Sequence, residues 1–147
     1  MATRTRLLKE LSSRSEEFKL QPVADDLTHW TAIIPGPEAT PFEGGRFTLD
    51  FRLPENYPFS SPKVIFKTRI FHPNIHFDTG EICLDVLKTD WSPAWSLESI
   101  CRAVVALLSS PNAESPLNCD AGNMIRAGDM RAFNSMAKMY TYDLAMS

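Results

Sequence analysis

The spacing of apolar residues changes partway along this chain, and that change constrains the fold class more than any other feature. Residues Arg46 to Leu53 alternate between polar and apolar without a break, which is typical of a half-buried β-strand. The segments His29–Ile34 and Lys63–Lys67 predict two further strands. The connections are short and carry Gly44-Gly45 or the Pro54/Pro58 pair, so neighbouring strands are expected to pair antiparallel. These three segments therefore predict an antiparallel meander, and the fold that we expect is a four-stranded one.

After Trp95 the apolar spacing becomes helical. One stripe follows Ser96, a favourable N-cap residue, and stops before Pro111. Its members are Leu97, Ile100, Cys101, Val104, Val105 and Leu108. A second stripe follows Asp129 and consists of Met130, Phe133, Met136, Ala137, Tyr140 and Leu144. A shorter helix is predicted at Asn123–Ala127, which makes two to three C-terminal helices in all.

The first eleven residues predict one more helix, at the N-terminal end. Its buried face would carry Leu7, Leu8 and Leu11, and its exposed face Arg4, Arg6, Lys9 and Glu10. Arg6 and Lys9 are three residues apart and form a small basic patch, which is either a solvated surface or a contact for an acidic partner. A helix, a sheet and then helices define an α+β fold, and 147 residues suit a single domain, 1–147.

Charge and cysteine content exclude several classes of protein. The 15 basic and 18 acidic residues give a net charge of −3, which argues against a nucleic-acid partner. Three cysteines without a C-x-x-C pair fit neither a zinc ribbon nor a secreted disulfide framework, so we expect no metal and a reducing, cytoplasmic location. The longest apolar run, which contains residues 104–108, is too short to span a bilayer. No direct membrane span is expected.

The irregular stretch from Phe71 to Trp95 carries the residues best suited to chemistry. If residues 81–85 are extended, Ile82 and Leu84 point inward, and Cys83 lies on the polar side with Glu81 and Asp85. That position is unlike the position of a packing cysteine, which Cys101 is expected to be because it lies on an apolar helical stripe. Cys119 is expected in a loop without catalytic neighbours.

The two carboxylates beside Cys83 disfavour a thiolate, so its pKa is not expected to be lowered. A cysteine hydrolase needs the opposite, and Cys83 is better suited to accept and pass on an acyl group. Asn74 is either an amide donor for an oxyanion or a plain turn residue, and sequence chemistry does not separate the two. His72 is either a structural histidine or part of the site.

The order of these motifs resembles the ubiquitin-conjugating enzymes. The central match is His72-Pro73-Asn74, then Cys83 nine residues after Asn74, then Trp91-Ser92-Pro93. Upstream matches are Trp30, Gly36-Pro37, Pro41-Phe42, Gly44-Gly45, Phe47 and Tyr57-Pro58-Phe59, and downstream matches are Pro111-Asn112 and Ser115-Pro116-Leu117. Together they cover nearly the whole chain. The segments 79–84 and 122–130, with Trp91 and Trp95, resemble the peroxisomal branch, whose peroxin recycles import receptors.

The resemblance implies a role for each matching residue. Cys83 would receive ubiquitin as a thioester from the activating enzyme, Asn74 would hold the active-site loop or the oxyanion, and Asp85 would orient the incoming nucleophile. His72, Pro73 and Ser115 would shape the active-site loop. The surface for a RING-type ligase and the activating enzyme would consist of Arg6, Lys9, Tyr57, Pro58, Phe59, Ser92, Pro93 and Ala94. No cofactor is implied, because the activating enzyme consumes the ATP.

The resemblance to the peroxisomal branch implies further partners: a peroxisomal import receptor as substrate and a membrane docking protein. The enzyme would then be cytoplasmic and recruited to the cytosolic face of the peroxisomal membrane. Ser115 departs from the pattern, because many general-purpose members have an acidic residue there that assists an attacking lysine. We therefore hypothesise a cysteine acceptor. The alternatives are a general cytosolic conjugating enzyme, a carrier of another ubiquitin-like modifier, and a non-catalytic binding variant.

Overall fold

The computed structural model describes residues 2–146 and has an α+β fold. An N-terminal helix precedes a sheet, and three further helices follow. The elements are α1 (Ala2–Ser13), β1 (Gln21–Val23), β2 (Asp26–Pro35), β3 (Arg46–Arg52), β4 (Lys63–Phe66), α2 (Leu97–Ser109), α3 (Cys119–Arg126) and α4 (Met130–Ala145), with a 3₁₀ turn at Asp85–Leu87.

The sheet is an antiparallel meander in the order β1-β2-β3-β4, as predicted. β2, β3 and β4 match the three predicted segments to within three residues at each end. β1 is only three residues long and contains Pro22, so no alternating pattern marks it in the sequence. It forms because the edge of β2 that faces away from β3 offers hydrogen-bonding groups to a neighbour.

The core lies between one face of the sheet and the helices. Alternate residues of β2 and β3 point into it, namely Trp30, Ala32, Ile34, Phe47, Leu49 and Phe51. The predicted stripe of α2 packs against them, and Cys101 is fully buried, as expected. Burial raises the pKa of the Cys101 thiol to about 12, so this cysteine is an inert packing residue.

The helix N-termini follow the predicted capping signals. Ser96 and Ser99 form a reciprocal capping box at the start of α2. Asp129 accepts a hydrogen bond from the Ala132 N–H and caps α4. The predicted stripe of α4 is only partly right, since Met130 and Leu144 are exposed. The buried face of α4 consists of Phe133, Ala137, Thr141 and Ala145, which are four residues apart, and Met130 and Leu144 lie outside it.

Two other predictions for the helices need correction. α3 begins at Cys119, four residues earlier than predicted, because the side chain of Asn118 accepts from the Ala121 N–H and caps it there. Cys119 therefore lies in the first turn of a helix and not in a loop, although it is exposed. In α1, Leu8 is exposed and Leu7 is buried. No helix within residues 2–146 is long and apolar enough to cross a membrane.

Candidate active site

Cys83 lies at the surface where a short hairpin ends. The hairpin turns between His76 and Glu81, whose backbone groups are joined by a 2.9 Å hydrogen bond from the His76 N–H to the Glu81 carbonyl. The imidazole Nδ1 of His76 accepts from the N–H groups of Asp78 and Thr79, which fixes the tip of the turn. Cys83 is half-buried, in contrast to Cys101, which is sealed in the core.

The hairpin is attached to the sheet through Gly80. The Phe66 N–H at the end of β4 donates to the Gly80 carbonyl at 2.9 Å. Gly80 has φ +77°, and a Cβ built on it would stand 2.0 Å from the Phe66 carbonyl oxygen. Only glycine fits this position, because the left-handed conformation and the close backbone approach both exclude a side chain.

The segment 81–85 follows the predicted alternation in part. Ile82 is buried, Cys83 and Leu84 are half-buried, and Glu81 and Asp85 are exposed. The chain leaves the extended conformation at Asp85, where the 3₁₀ turn begins. This turn brings Asp85 to the surface two residues after the thiol.

His72 is fully buried and links the active-site loop to α2. Its Nε2 donates to the Leu107 carbonyl at 3.0 Å, and its Nδ1 accepts from the Asn74 N–H at 3.1 Å. Burial lowers the pKa of His72 to about 4, so the imidazole is neutral at physiological pH. Since both ring nitrogens are already engaged, this side chain cannot serve as a base for Cys83.

Asn74 is also buried, and its amide is paired with a backbone segment. Nδ2 donates to the Asn112 carbonyl at 2.6 Å, and Oδ1 accepts from the Asn112 N–H at 2.8 Å. The Asn74 carbonyl accepts the Cys83 N–H at 2.8 Å. One residue therefore joins the loop after α2 to the cysteine.

The loop after α2 is bound to the active-site segment at a second point. The Pro73 carbonyl accepts from the N–H groups of Leu117 and Asn118, at 2.8 and 3.1 Å. Between this contact and Asn112, the chain bulges outward and exposes Ser115. The structure thus brings Asn74, Pro73 and the loop of Ser115 together beside the segment that carries Cys83.

The predicted partner surface is only partly exposed. Phe59 has 66% of its surface exposed, and Lys9, Pro93 and Ala94 are exposed beside half-buried Ser92. Tyr57 and Pro58 are buried, which corrects their assignment to a contact surface. The Tyr57 ring packs near Trp91, whose Nε1 donates to the Pro58 carbonyl at 3.0 Å. Tyr57 and Pro58 therefore support the loop that presents Phe59.

Arg6 and Glu10 are likewise turned inward, although both were expected in solvent. The Arg6 guanidinium donates to the carbonyls of Pro93 and Trp95 at 2.7 and 2.6 Å, and to Glu10 at 3.1 Å. Glu10 is buried and also accepts from the Tyr57 hydroxyl at 2.5 Å and the Leu97 N–H at 3.1 Å. This network joins α1, the Phe59 loop and the start of α2.

The sequence did not predict that Glu10 and Asn112 help to support the site. Glu10 follows Leu7 by three residues and so shares its helical face, which is a signal for burial. Asn112 contributes its backbone to Asn74, and no side-chain pattern can report that contact. Within residues 2–146, no group of three His, Cys, Asp or Glu side chains is arranged to hold a metal ion.

Comparison with known proteins gives one family-model match and several similar relatives. Residues 5–141 match the family model described as "Ubiquitin-conjugating enzyme". The chain is 55% identical to "Protein PEROXIN-4" of Arabidopsis thaliana, over 99% of this chain and 96% of the relative. It is 56% identical to "Ubiquitin-conjugating enzyme E2 pex4" of Dictyostelium discoideum, over 92% and 95%.

A solved structure is similar over the full length of both chains. It is the H. polymorpha ubiquitin conjugating enzyme Pex4p in complex with the soluble domain of Pex22p. Its TM-score is 0.91 and its sequence identity to this chain is 33%, with 100% of each chain covered.

Proposed function

This chain belongs to the ubiquitin-conjugating enzyme family, within its peroxin branch, and we propose that it carries ubiquitin as a thioester on Cys83 and transfers it to a peroxisomal import receptor. The observation that carries the proposal is the placement of Cys83. Cys83 lies outside the core and is half-buried, while the surrounding loop is fixed by hydrogen bonds from His72 and Asn74. A rigid support for a cysteine outside the core suits a residue that must hold a large acyl group.

In the loading step the Cys83 sulfur attacks the C-terminal carbonyl of ubiquitin, which arrives as a thioester on the activating enzyme. The new C–S bond forms, the bond to the activator's sulfur breaks, and the thiol proton passes to the departing thiolate. ATP is consumed by the activating enzyme, so this chain needs no metal or organic cofactor. Apart from the thiol itself, its residues position Cys83 and supply no redox or Lewis-acid chemistry.

The thioester must then survive until an acceptor arrives. A hydrolase would place a general base beside the cysteine to activate water. Both nitrogens of His72 are bonded within the protein, and Nδ1 of His76 accepts two backbone N–H groups. Neither nitrogen of His72 nor Nδ1 of His76 is free to act as that base, which favours transfer over hydrolysis.

The neighbouring residues would serve the transfer step. Asn74 would hold the loop after α2 against the cysteine, because both ends of its amide are used for that purpose in this structure. Asp85 is exposed two residues after Cys83 and would orient the incoming nucleophile. Ser115 stands where an acidic residue would assist a lysine, so we propose that a cysteine of the receptor is the preferred acceptor.

A RING-type ligase and the activating enzyme would bind the surface formed by Phe59, Pro93, Ala94 and Lys9. Phe59 is the largest exposed apolar side chain of this surface and would provide its anchor. Arg6, Glu10 and Tyr57 would support this surface, because their hydrogen bonds hold the Phe59 loop and the 93–95 loop at a fixed separation. Lys9 would contribute the charge that steers an acidic partner.

The names of the relatives support a peroxisomal site of action. The H. polymorpha neighbour was solved with the soluble domain of Pex22p, and we propose that a comparable docking protein recruits this chain to the cytosolic face of the peroxisomal membrane. Removal of the gene should then block import of peroxisomal matrix proteins. Normal import in its absence would favour a general cytosolic conjugating enzyme.

The proposal is tested by loading with purified activating enzyme, ATP and ubiquitin. Wild type should form an adduct that dithiothreitol removes, and Cys83→Ala should form none. Cys119→Ala is the matched control, because Cys119 is exposed and also lies outside the core, but at the start of α3. An adduct on Cys83→Ala, or none on wild type, would contradict the proposal. Loading by another ubiquitin-like modifier in preference to ubiquitin would redirect it to that modifier.

A further inference from the structure

The side of the sheet that faces away from the core carries exposed basic residues. Phe47, Leu49 and Phe51 of β3 point into the core, so the alternate residues of this strand point outward. Arg46 and Arg52 are two of these outward residues, and they lie at the two ends of the strand. Both are exposed.

The neighbouring strand β4 continues this pattern. Lys63 is paired with Arg52 in the register of the two strands, so both side chains lie on the same face of the sheet. Lys67 directly follows the last residue of β4 in the same alternation, and its N–H donates to the Thr48 carbonyl at 2.8 Å. Lys63 and Lys67 are both exposed. We call the following residues the outer basic face: Arg46, Arg52, Lys63 and Lys67.

The positive charge of the outer basic face is only partly neutralised within the chain. Asp50 belongs to the same alternation, but it is buried, and its carboxylate oxygens lie 2.6 Å from His29 Nε2 and 3.4 Å from Arg52 Nε. Asp26, at the start of β2, also lies close enough to Arg52 for their charges to interact. Three of the four basic residues form no ion pair within residues 2–146, namely Arg46, Lys63 and Lys67. This face is therefore positive, although the whole chain has a net charge of −3.

The fold itself does not account for these charges. Lys63 stands directly opposite Arg52, and like charges in such positions on neighbouring strands lower stability. Lysines on an edge strand can protect it from pairing with another chain, which would explain Lys63 on β4. Arg46 and Arg52, however, belong to β3, which has a partner strand on each side. A contact outside the chain explains all four residues together.

The side chains between these cations indicate what kind of partner fits. Thr48 lies between the two arginines of β3, and Ile65 lies between the two lysines at β4, and both are half-buried. Protein partners are usually anchored by large side chains that fill pockets, and neither residue offers such an anchor. A positive face of this kind suits a partner that supplies negative charge without a fixed shape. The headgroup region of an anionic membrane is such a partner, since each Lys or Arg near it raises affinity by about fivefold.

We propose that the outer basic face contacts the anionic lipid headgroups of the membrane to which this chain is recruited. This inference deepens the proposed recruitment and is independent of the thioester step. A basic patch alone holds a protein at a membrane only weakly, and stable attachment needs a second signal. The docking protein would supply that second signal, and the outer basic face would determine which side of the chain meets the lipid. Charges are screened beyond about 8 Å at physiological ionic strength, so the acidic residues elsewhere do not cancel the attraction.

Flotation of the purified chain with lipid vesicles tests this contact. One set of vesicles contains phosphatidylcholine alone, and the other contains phosphatidylcholine mixed with phosphatidylserine. At low ionic strength the chain should bind the mixed vesicles at least about fivefold more tightly, and added salt should remove the difference. The double variant Lys63→Gln, Lys67→Gln should bind the mixed vesicles at least about tenfold more weakly than wild type, because it loses two charges.

The matched control is the double variant Arg131→Gln, Lys138→Gln. It removes the same charge from two exposed residues of α4, and it should bind the mixed vesicles as wild type does. Equal binding by wild type and the Lys63→Gln, Lys67→Gln variant would overturn this inference, as would no binding to mixed vesicles at low ionic strength. Binding of wild type to polyglutamate but not to these vesicles would overturn it in favour of an acidic protein partner.

Ubiquitin loading in solution separates this inference from the proposed function. Both double variants should load as wild type does, which also shows that they are folded. Failure of wild type to load would overturn the proposed thioester function and would leave the vesicle result unaffected.

Discussion

Asn74 and Asn112 are paired as two strands of a sheet would be, except that one partner is a side chain. The Asn74 amide donates to the Asn112 carbonyl at 2.6 Å and accepts from the Asn112 N–H at 2.8 Å. The Asn112 side chain has a separate contact, accepting from the Glu114 N–H. The contact of the Asn112 backbone with Asn74 and the contact of the Asn112 side chain with Glu114 can therefore be removed by different mutations.

Asn74→Ala should release the loop after α2 and lower the free energy of unfolding by about 1–3 kcal/mol, because it removes two hydrogen bonds, each of which contributes about 0.5–1.5 kcal/mol. Hydrogen exchange of residues 110–117 should become faster. Asn112→Ala keeps the backbone contact and serves as the control. If Asn74→Ala discharged ubiquitin slowly while exchange in this loop stayed at the wild-type level, Asn74 would act on the oxyanion instead.

The buried imidazole of His72 should make stability depend on pH. Its pKa is lowered from 6.5 to about 4 by burial, so between these values the unfolded chain binds a proton that the folded chain does not. The stability contributed by neutral His72 is fully present above about pH 6.5 and is lost as pH falls toward about 4. The loss is at most about 3 kcal/mol.

Urea unfolding between pH 4.5 and 7.5 measures this slope. His72→Asn should be less stable at pH 7 but should show a flatter pH dependence over this range. Equal slopes for wild type and His72→Asn would assign the acid sensitivity to other groups.

Alanine substitutions at Gly80 and Gly128 distinguish the free-energy cost of a left-handed backbone from the cost of a steric clash. Both have positive φ, +77° and +75°, but a Cβ on Gly80 meets the Phe66 carbonyl whereas a Cβ on Gly128 meets nothing within 4 Å. Gly128→Ala should cost about 1–2 kcal/mol from backbone strain alone. Gly80→Ala should cost clearly more and should slow ubiquitin loading, since it displaces the hairpin that ends at Cys83. Equal changes in urea midpoint would show that the hairpin moves freely.

Tyr57 should prove to be a stabilising residue rather than a contact. Tyr57→Phe removes the hydroxyl that donates to buried Glu10, and we expect a loss of about 1–3 kcal/mol in the free energy of unfolding. Burial and the adjacent Glu10 carboxylate raise the pKa of this phenol, so the hydroxyl remains a donor throughout the physiological range. Tyr142→Phe is the control, because Tyr142 is 74% exposed and should change stability by less than about 0.5 kcal/mol.

Mutation of Arg6 should affect stability and mutation of Lys9 should affect loading, although both are basic residues of α1. Arg6→Ala removes three hydrogen bonds to Glu10 and the 93–95 loop and should lower thermal stability, with an effect that salt changes little. Lys9→Ala should leave stability near wild type but slow loading at low ionic strength, with the difference fading as salt is added. Salt-sensitive loading defects of equal size in both variants would place Arg6 in the contact surface.

The strands and the main helices were predictable because each depends on local periodicity. The alternation of Arg46–Leu53 matches β3, and the stripe after Ser96 matches α2 with its capping box. Cys83 was recognisable because it follows Asn74 at a particular spacing and lies on the polar side of its segment. β1 was not predicted from its own residues, because a three-residue strand has too few positions to show a period.

The partner surface was predicted less well. A tyrosine in a Pro-rich loop and an arginine on a basic helix look exposed when only their neighbours in sequence are considered. Tyr57 and Arg6 turn inward because Glu10, 47 residues before Tyr57, offers a carboxylate that both can reach in the folded chain. Burying that carboxylate is favourable only when all of its donors converge on it.

Residue order was therefore sufficient for the α+β plan, the meander and the cysteine segment, because local periodicity and motif spacing are properties of neighbouring residues. The support of the site came only from folding. His72 finds Leu107, Asn74 finds Asn112, and Glu10 finds both Tyr57 and Leu97 across separations of 35 to 87 residues. Such pairs form when packing excludes water and leaves each buried polar group dependent on whichever partner the fold brings near.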